Sequence, residues 1–582
     1  MKKNKFLVLT LFFLIIWPKN LISSDNIIIP EGSSGVIEKN ETSTTNFMVV
    51  TANPYATETG YKIIKEGGNA LDAAIASQLI LNLVEPQSSG IGGGGFIMFW
   101  DNKNKILHSY DGRETAPNSA NPYLFINKNG EIISRRSATI GGKSVGVPGL
   151  LRVLEMAHNR HGKMKWENLF KPAIHLSGRG FKVSPRLYKL LKNNKTLPRL
   201  DNPSNYLYQP DGSPHPIGTV LVNKPFADTL TKISKNGPDE FYMGNLALEI
   251  IEKVKKSELN PSSISINDLN SYKAIYRKPI CGKYFEYSIC GPRPPSSGGI
   301  GVIQMLGILE NFNLSGMKPW SLESLKVFIE ATRLMFADRE LYIADPNFFI
   351  APIKELVSED YLRKRAKLIQ KDSILSDAFP GEFKGYPLKN LSVGNSLELN
   401  STTHLSIIDN EGNAVSMTSS IEAAFGSHLM VKGFFLNNQL TDFSYKPIKE
   451  GRIVANQVEG GKRPRSSMAP IIILDENDEV ILLTGSAGGP SIIPLVTKSI
   501  IGILDWGLSP QEAVNLPNVL TFGSTVFLEK GTSLEESKGE LSEMGYKVRI
   551  IDFASGLHTI HKKNGKLYGG ADPRREGNVR GN

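Results

Sequence analysis

Apolar residues recur at helical spacing on both sides of Gly67-Gly68 in "ATETGYKIIKEGGNALDAAIASQLILNLVEP", which predicts two helices with a glycine break. The runs "FIMFWD" and "ILHSYDGRE" then read as strands. Helical periodicity returns in "GVPGLLRVLEMAHNRHG" and around Trp166–Ser177, Pro225–Ser234 and Leu246–Lys256. It is longest in the amphipathic stretch "SLESLKVFIEATRLMFADRELYIADP". From about Thr402 the pattern changes to short alternating strands separated by turn chemistry such as "DNEGN" and "KKNGK". Strands interleaved with helix pairs, with no Pro/Ser-rich linker between them, predict stacked sheets faced by helices.

The 582 residues suffice for a large core, and a 40% hydrophobic content is ordinary for a globular chain. The formal charge of +10 comes from lysines scattered among acidic residues. Counterion release rewards concentrated positive charge, so nucleic acid is not expected as the main partner, whereas small anionic substrates suit such a surface. Residues 1–25 differ from the rest: three lysines precede an apolar run from Phe6 to Trp17, which breaks at Pro18. That run is shorter than the ~20 residues of a bilayer span and suits an export signal. Ser23 and Ser24 supply small residues without an A-x-A pattern, and an uncleaved anchor or a buried helix is the other reading. A periplasmic or secreted location is expected, with no membrane span beyond the signal. Cys281 and Cys290, the only cysteines, fall opposite each other if Phe285-Glu286 form a two-residue turn. A disulfide and two small buried thiols both fit that placement.

Two familiar motifs fail in context. Gly90 to Gly95, "GIGGGG", leads into a strand where a dinucleotide site needs a helix N-terminus. Gly142 to Gly146, "GKSVG", lacks the buried strand that precedes a nucleophile elbow. Tight turns or close backbone approach explain both better. The pairs His158/His161 and His558/His561 show no third ligand at a readable spacing, and the second pair falls on opposite faces of a strand. No metal and no cofactor is expected.

The chemistry concentrates in "LNSTTHLSIIDNEGNAVSMTSSIEAAFG". With Asp409–Asn413 as a five-residue loop, Ile408 faces Ala414 and the register counts back to Thr402 opposite Ser420. A threonine hydroxyl needs an adjacent base. A cut just before Thr402 would supply one, since the new α-amine has an ordinary pKa of roughly 7.7–8.0.

From "GGNALDAAIA" and "EPQSSGIGGGGF" through "DGRETAP", "GVPG" and "PPSSGG" to "TTHLSIID", "FGS", "LNNQLTDFS", "KRPRSSMAP", "TGSAGGP" and "ADPR", the chain resembles the γ-glutamyltransferase (glutathione hydrolase) family of N-terminal-nucleophile hydrolases. The resemblance implies an α+β fold, a four-layer αββα sandwich formed by two fragments of one self-cleaved chain. The cut falls between Ser401 and Thr402, giving a large subunit, 26–401, and a small subunit, 402–582. It implies Thr402 as nucleophile, Ser420 as the hydroxyl bonded to it, and Gly488 and Gly489 as the oxyanion hole, where side chains would hinder approach. It assigns Arg113, Ser466 and Ser467 to the substrate α-carboxylate, and Gln439 and Asp442 to the α-ammonium on the opposite side.

Two departures affect the expected substrate. Glu422 stands where family members carry an asparagine, adding a second carboxylate near Asp442. The segment from Tyr445 to Lys462 is shorter than in members with a lid loop. The implied activity is transfer of a γ-glutamyl group from glutathione or related compounds, through a Thr402 ester, to water or to an amino-acid or peptide acceptor. An acylase for another amide, such as a glutaryl amide, and a processing-dead homologue that binds γ-glutamyl compounds are the alternatives.

Overall fold

The computed structural model describes residues 31 to 582 except 202, 372, 387, 395, 397, 399 and 400. The expected export signal lies outside the described residues. Two seven-stranded sheets carry the architecture. Their strands in chain order are β1 (Thr42–Thr44), β2 (Met48–Thr51), β3 (Gly94–Asp101), β4 (Ile106–Asp111), β5 (Ile275–Arg277), β6 (Ile280–Tyr284) and β7 (Tyr287–Gly291). They continue with β8 (Ser401–Ile408), β9 (Ala414–Glu422), β10 (Ile471–Leu474), β11 (Val480–Thr484), β12 (His558–Lys563), β13 (Lys566–Ala571) and β14 (Asn578–Gly581). One sheet runs β14-β2-β8-β9-β3-β4-β5 and the other β1-β13-β12-β11-β10-β7-β6.

Alternation along β8 shows how four layers follow from period-2 side chains. Leu405 and Ile407 join a core with helices α1 (Pro54–Lys65) and α2 (Ala70–Val84), outside the first sheet. Ile408 points the other way, into a core with Met98, Trp100, Ile472, Leu483 and Ile560 between the two sheets. Helices α3 (Gly298–Leu309), α4 (Leu322–Tyr342) and α5 (Ile492–Leu504) cover the outer face of the second sheet. The order of layers is αββα, as the family resemblance implies.

The glycine break separates α1 from α2 at Gly67, whose φ of +95° disfavours any other residue. Helix α2 then starts with a reciprocal capping box between Asn69 and Asp72 and is buried along its whole length. That burial explains an apolar pattern that runs round the helix instead of along one stripe. Cys281 and Cys290 face each other across the β6–β7 hairpin, Cα atoms 4.1 Å apart, and are bonded as a disulfide. Of the two readings the sequence left open, the disulfide is the observed one.

Candidate active site

The register counted from the hairpin loop is the one observed: Ile408 pairs with Ala414, and Thr402 with Ser420. Just beyond that pair the ladder slips, Ser401 facing Glu422, so Ile421 is an extra residue in β9. Glu422 closes the bulge with φ +79°, rare for a residue with a side chain. The bulge turns the Ser401–Thr402 peptide toward the paired hydroxyls. Thr402 Oγ1 donates to Ser420 Oγ over 3.1 Å, and Ser420 Oγ donates in turn to the Ser401 carbonyl oxygen over 2.9 Å. One serine therefore accepts a hydrogen bond from the Thr402 hydroxyl and donates one to the carbonyl next to it. Ser401 Oγ donates to the Gln87 carbonyl (2.6 Å), and the Thr402 carbonyl accepts from Arg575 Nη1 (3.1 Å), so both sides of the peptide are tethered. Thr402 is 3% exposed.

The glycine-rich stretch before β3 serves this hairpin by close approach. A Cβ on Gly93 would lie 2.1 Å from the Ser420 carbonyl oxygen, and one on Gly92 2.1 Å from that of Phe435. No dinucleotide loop is formed. Gly93→Ala is expected to displace β9 at Ser420, costing ~1–3 kcal/mol of stability and slowing any step that uses the hydroxyl pair; thermal melts and cleavage time courses check both. Gly485 approaches β8 as closely, since a Cβ there would sit 2.2 Å from His404 Cε1. The loop then runs to Gly488 and Gly489, which have φ of +134° and +56° and lead into α5. Glycine is required here first by the backbone: a Cβ on Gly488 would meet Leu495 and Ser491 only at an ordinary 3.4 Å.

The substrate-binding candidates from four separate stretches converge in one buried cluster. Arg113 Nε donates to the Pro464 carbonyl (3.1 Å), and Nη2 to the Arg465 carbonyl (2.6 Å) and to Asp442. The expected placement of Arg113 and Asp442 on opposite sides is corrected: they form a direct ion pair. An α-amino acid carries its carboxylate and ammonium on one carbon, so a paired cation and anion are its natural complement. Gln439 Nε2 bridges Glu422 Oε2 (3.0 Å) and Asp442 Oδ2 (2.8 Å), which fixes both carboxylates toward the same space. Burial pushes the Asp442 carboxyl up, against the pull of Arg113. Arg113 Nη1, Asp442 Oδ1 and Gln439 Oε1 are buried without a hydrogen-bond partner among the described residues. Arg113 Nη1 lies 3.6 Å from Glu114 Oε2, and a ligand that bonds these atoms would offset the cost of burying them. Ser467 Oγ accepts from Arg339 Nη2 (2.6 Å), and Ser466 Oγ accepts from the Met468 N–H (3.1 Å).

Sequence reasoning missed four charged residues here: Glu114, Arg339, Glu398 and Arg465. Glu114 and Arg465 adjoin motif residues, which was a usable signal. Arg339 lies on α4, which the sequence pattern predicts to be amphipathic with a solvated face; in the fold this helix is packed between neighbours on nearly all sides, and Arg339 is buried with Glu330, Arg333 and Asp338. Glu114 is fully buried, and burial raises its carboxyl to about 8 despite Arg113 nearby. The folded chain therefore holds a proton that the unfolded chain, titrating near 4.5, releases. Stability falls as pH rises between those values and is level above them. Glu114→Gln is expected to flatten that decline, its melting temperature overtaking wild type as pH approaches 8; melts across the window check the sign.

The remaining candidates take structural places. Ser144 of "GKSVG" is buried, donating to the Thr139 (2.7 Å) and Gly141 (3.0 Å) carbonyls. His404 contacts Thr418 Oγ1 (2.8 Å) and Ser406 Oγ (3.1 Å), and burial, then His558, keeps its pKa well below the ordinary value. His158 contacts the Met164 carbonyl at 2.9 Å. His161 corrects the sequence reading: His108 and Asp101 meet it, with ligand atoms within 4.8 Å of one another, at the end of β3 away from Thr402. The short segment after Tyr445 forms a small hairpin, Ile448–Lys449 with Arg452–Ile453, and Tyr445 stacks on Phe125 at 4.5 Å.

Two face-to-face antiparallel sheets between helical layers, with a threonine at a strand's start beside a polarised peptide, define the N-terminal-nucleophile hydrolase class. A solved cephalosporin acylase from Bacillus halodurans superposes with a TM-score of 0.81 at 26% identity, covering 95% of this chain and 99% of that one. Within the class, the chain belongs to the γ-glutamyltranspeptidase family, whose model matches residues 56–581. It is 36% identical over 541 residues to a glutathione hydrolase proenzyme of Bacillus subtilis, covering 91% of this chain and 90% of the relative. It is 33% identical over 560 residues to an acylase ACY 1 proenzyme of a Pseudomonas species, covering 94% and 96%.

Proposed function

We propose that this protein is a self-processing γ-glutamyltransferase and glutathione hydrolase. The observation that carries the reading is the chain of bonds from Thr402 Oγ1 through Ser420 Oγ to the Ser401 carbonyl oxygen. Thr402 Oγ1 attacks the Ser401 carbonyl carbon as its proton passes by way of Ser420 to the peptide nitrogen, and the C–N bond breaks to leave an ester on Oγ1 and a free Thr402 amine. Water hydrolyses the ester, separating residues 26–401 from 402–582. The liberated amine then serves as base for the same hydroxyl, which attacks the γ-carbonyl of an acyl donor. The Gly488 and Gly489 N–H groups take the developing oxyanion, each worth roughly 3–4 kcal/mol. Water or an amino acid resolves the second ester. The basic, apolar start of the chain adds export to the periplasm or beyond. Intact masses of the purified protein test the reading: two fragments are expected, the smaller beginning at Thr402, and a single uncut band with full amidase activity would overturn it.

A second reading, an acylase for glutaryl amides, draws on the likeness to the two acylases. The pocket chemistry favours the first. Gln439 joins Glu422 to Asp442, which places two carboxyl groups on one side of the pocket, and a glutaryl group has no ammonium to donate hydrogen bonds to them. Hydrolysis of γ-glutamyl and glutaryl anilides should therefore differ in kcat/KM by about tenfold or more in favour of γ-glutamyl, one hydrogen-bonded charge being worth ~1.5–3 kcal/mol. Equal or reversed rates would transfer the assignment to the acylase.

A further inference from the structure

The carboxylate pocket already holds a carboxylate, and it belongs to the chain itself. Glu398, four positions before Thr402 in sequence, is 2% exposed. Its Oε1 is paired with Arg339 Nη2 and lies 3.8 Å from Arg465 Nε, and its side chain bonds Ser467. Arg339 spans the same cluster, donating through Nη2 to Ser467 and through Nε to Ser297 Oγ (2.8 Å). Burial opposes ionisation of Glu398, yet Arg339 and Arg465 hold its carboxyl below the ordinary value, with Arg113 contributing. Three buried guanidinium groups thus share one pocket, and Glu340, Asp442, Glu398 and Glu114 are the acidic groups beside them. A buried cation left without its partner is strongly destabilising, so the pocket needs an anion before the cut as much as after it.

We propose that Glu398 is an internal ligand of the acyl pocket: before the cut its carboxylate occupies the place that an acyl donor's carboxylate takes afterwards, which positions the scissile segment on Thr402 and excludes acidic ligands from the uncut protein. This rests on the reading of Arg113, Ser466 and Ser467 as the carboxylate clamp. Glu398 is a positioning residue for self-cleavage, and Arg339 is the group through which it acts. Processing thereby couples two events: the bond that blocks the amine of Thr402 breaks, and the carboxylate that fills the pocket is no longer tied to Thr402.

The test follows cleavage of the full chain made in a cell-free reaction, by intact mass against time. Glu398→Ala is expected to slow the cut about tenfold or more, because it strands buried arginines. Propionate, which replaces the deleted carboxylate, is expected to restore much of the rate in Glu398→Ala, to leave wild type unchanged, and to do nothing for the Glu398→Ala/Arg339→Gln chain. A merely structural role would not respond to a soluble carboxylate. As a second measurement, calorimetric titration with glutarate is expected to show uptake by the uncut Thr402→Ala/Glu398→Ala protein and none by Thr402→Ala. Wild-type cleavage kinetics in Glu398→Ala, slow cleavage that ignores propionate, or glutarate uptake by Thr402→Ala would each overturn the proposal and leave the γ-glutamyl reading standing. A wild-type chain that is never cut at Ser401–Thr402 would overturn both.

Discussion

A Thr402→Ala chain is expected to remain one uncut polypeptide and to lose amide turnover by at least about 10⁴-fold, the scale on which removal of a catalytic nucleophile acts. Thr402 Oγ1 is the hydroxyl that donates into Ser420, and Ser420 in turn holds the Ser401 carbonyl. Alanine removes the attacking atom and leaves Ser420 bonded to a carbonyl that nothing attacks. The fold should survive, because β8 keeps its ladder with β9 and β2 and only one small polar group is lost. Thr402→Ser should still cut, more slowly, since serine lacks the methyl that restricts χ1 in a strand. Denaturing gels and intact masses distinguish these outcomes, and an alanine variant that still splits between Ser401 and Thr402 would end the proposed mechanism.

Arg113→Ala is expected to leave self-cleavage in place while lowering kcat/KM for γ-glutamyl anilides by roughly 10²–10³-fold, the equivalent of breaking one buried ion pair. Arg113 holds Asp442 and the carbonyls of Pro464 and Arg465, so its loss also strands a buried carboxylate. The loss should fall mainly on KM if the guanidinium grips donor and transition state alike. Arg113→Lys should recover only part of it, because an ammonium cannot reproduce the planar fork that meets a carboxylate along two parallel bonds. Initial rates across donor concentration, with a melt to verify folding, check both parts. If the alanine variant were uncut and unfolded, Arg113 would be a structural arginine and the carboxylate clamp would need another owner.

The Thr402–Ser420 pair was legible in the sequence because its surroundings are local. Thr402 and Ser420 sit on the two arms of one hairpin, and a period-2 ladder carries register from the Asp409–Asn413 loop back to the pair without reference to the rest of the molecule. Even the bulge did no harm to that count, since it lies beyond Thr402. Helix positions on either side of Gly67 and the β6–β7 hairpin with its cysteines were readable for the same reason: a few consecutive dihedrals and an alternation decide them.

The acyl pocket was different. Resemblance to a family supplied Arg113, Gln439, Asp442, Ser466 and Ser467 as a set, but not how they meet. Arg113 and Asp442 are 329 positions apart, and Glu398 reaches Arg339 across 59. No spacing rule connects such residues; they meet because the stacked sheets and the helices packed on them bring distant parts of the chain together. In isolation an arginine on an amphipathic helix is indistinguishable from a solvated one, and only packing revealed that Arg339 is buried and needs an anion. Sequence alone therefore determined where the Thr402 hydroxyl stands and which strand partner it has. Tertiary structure decided the charge balance around it, because burial and long-range pairing set the energy of an ion, and neither is written into its neighbours along the chain.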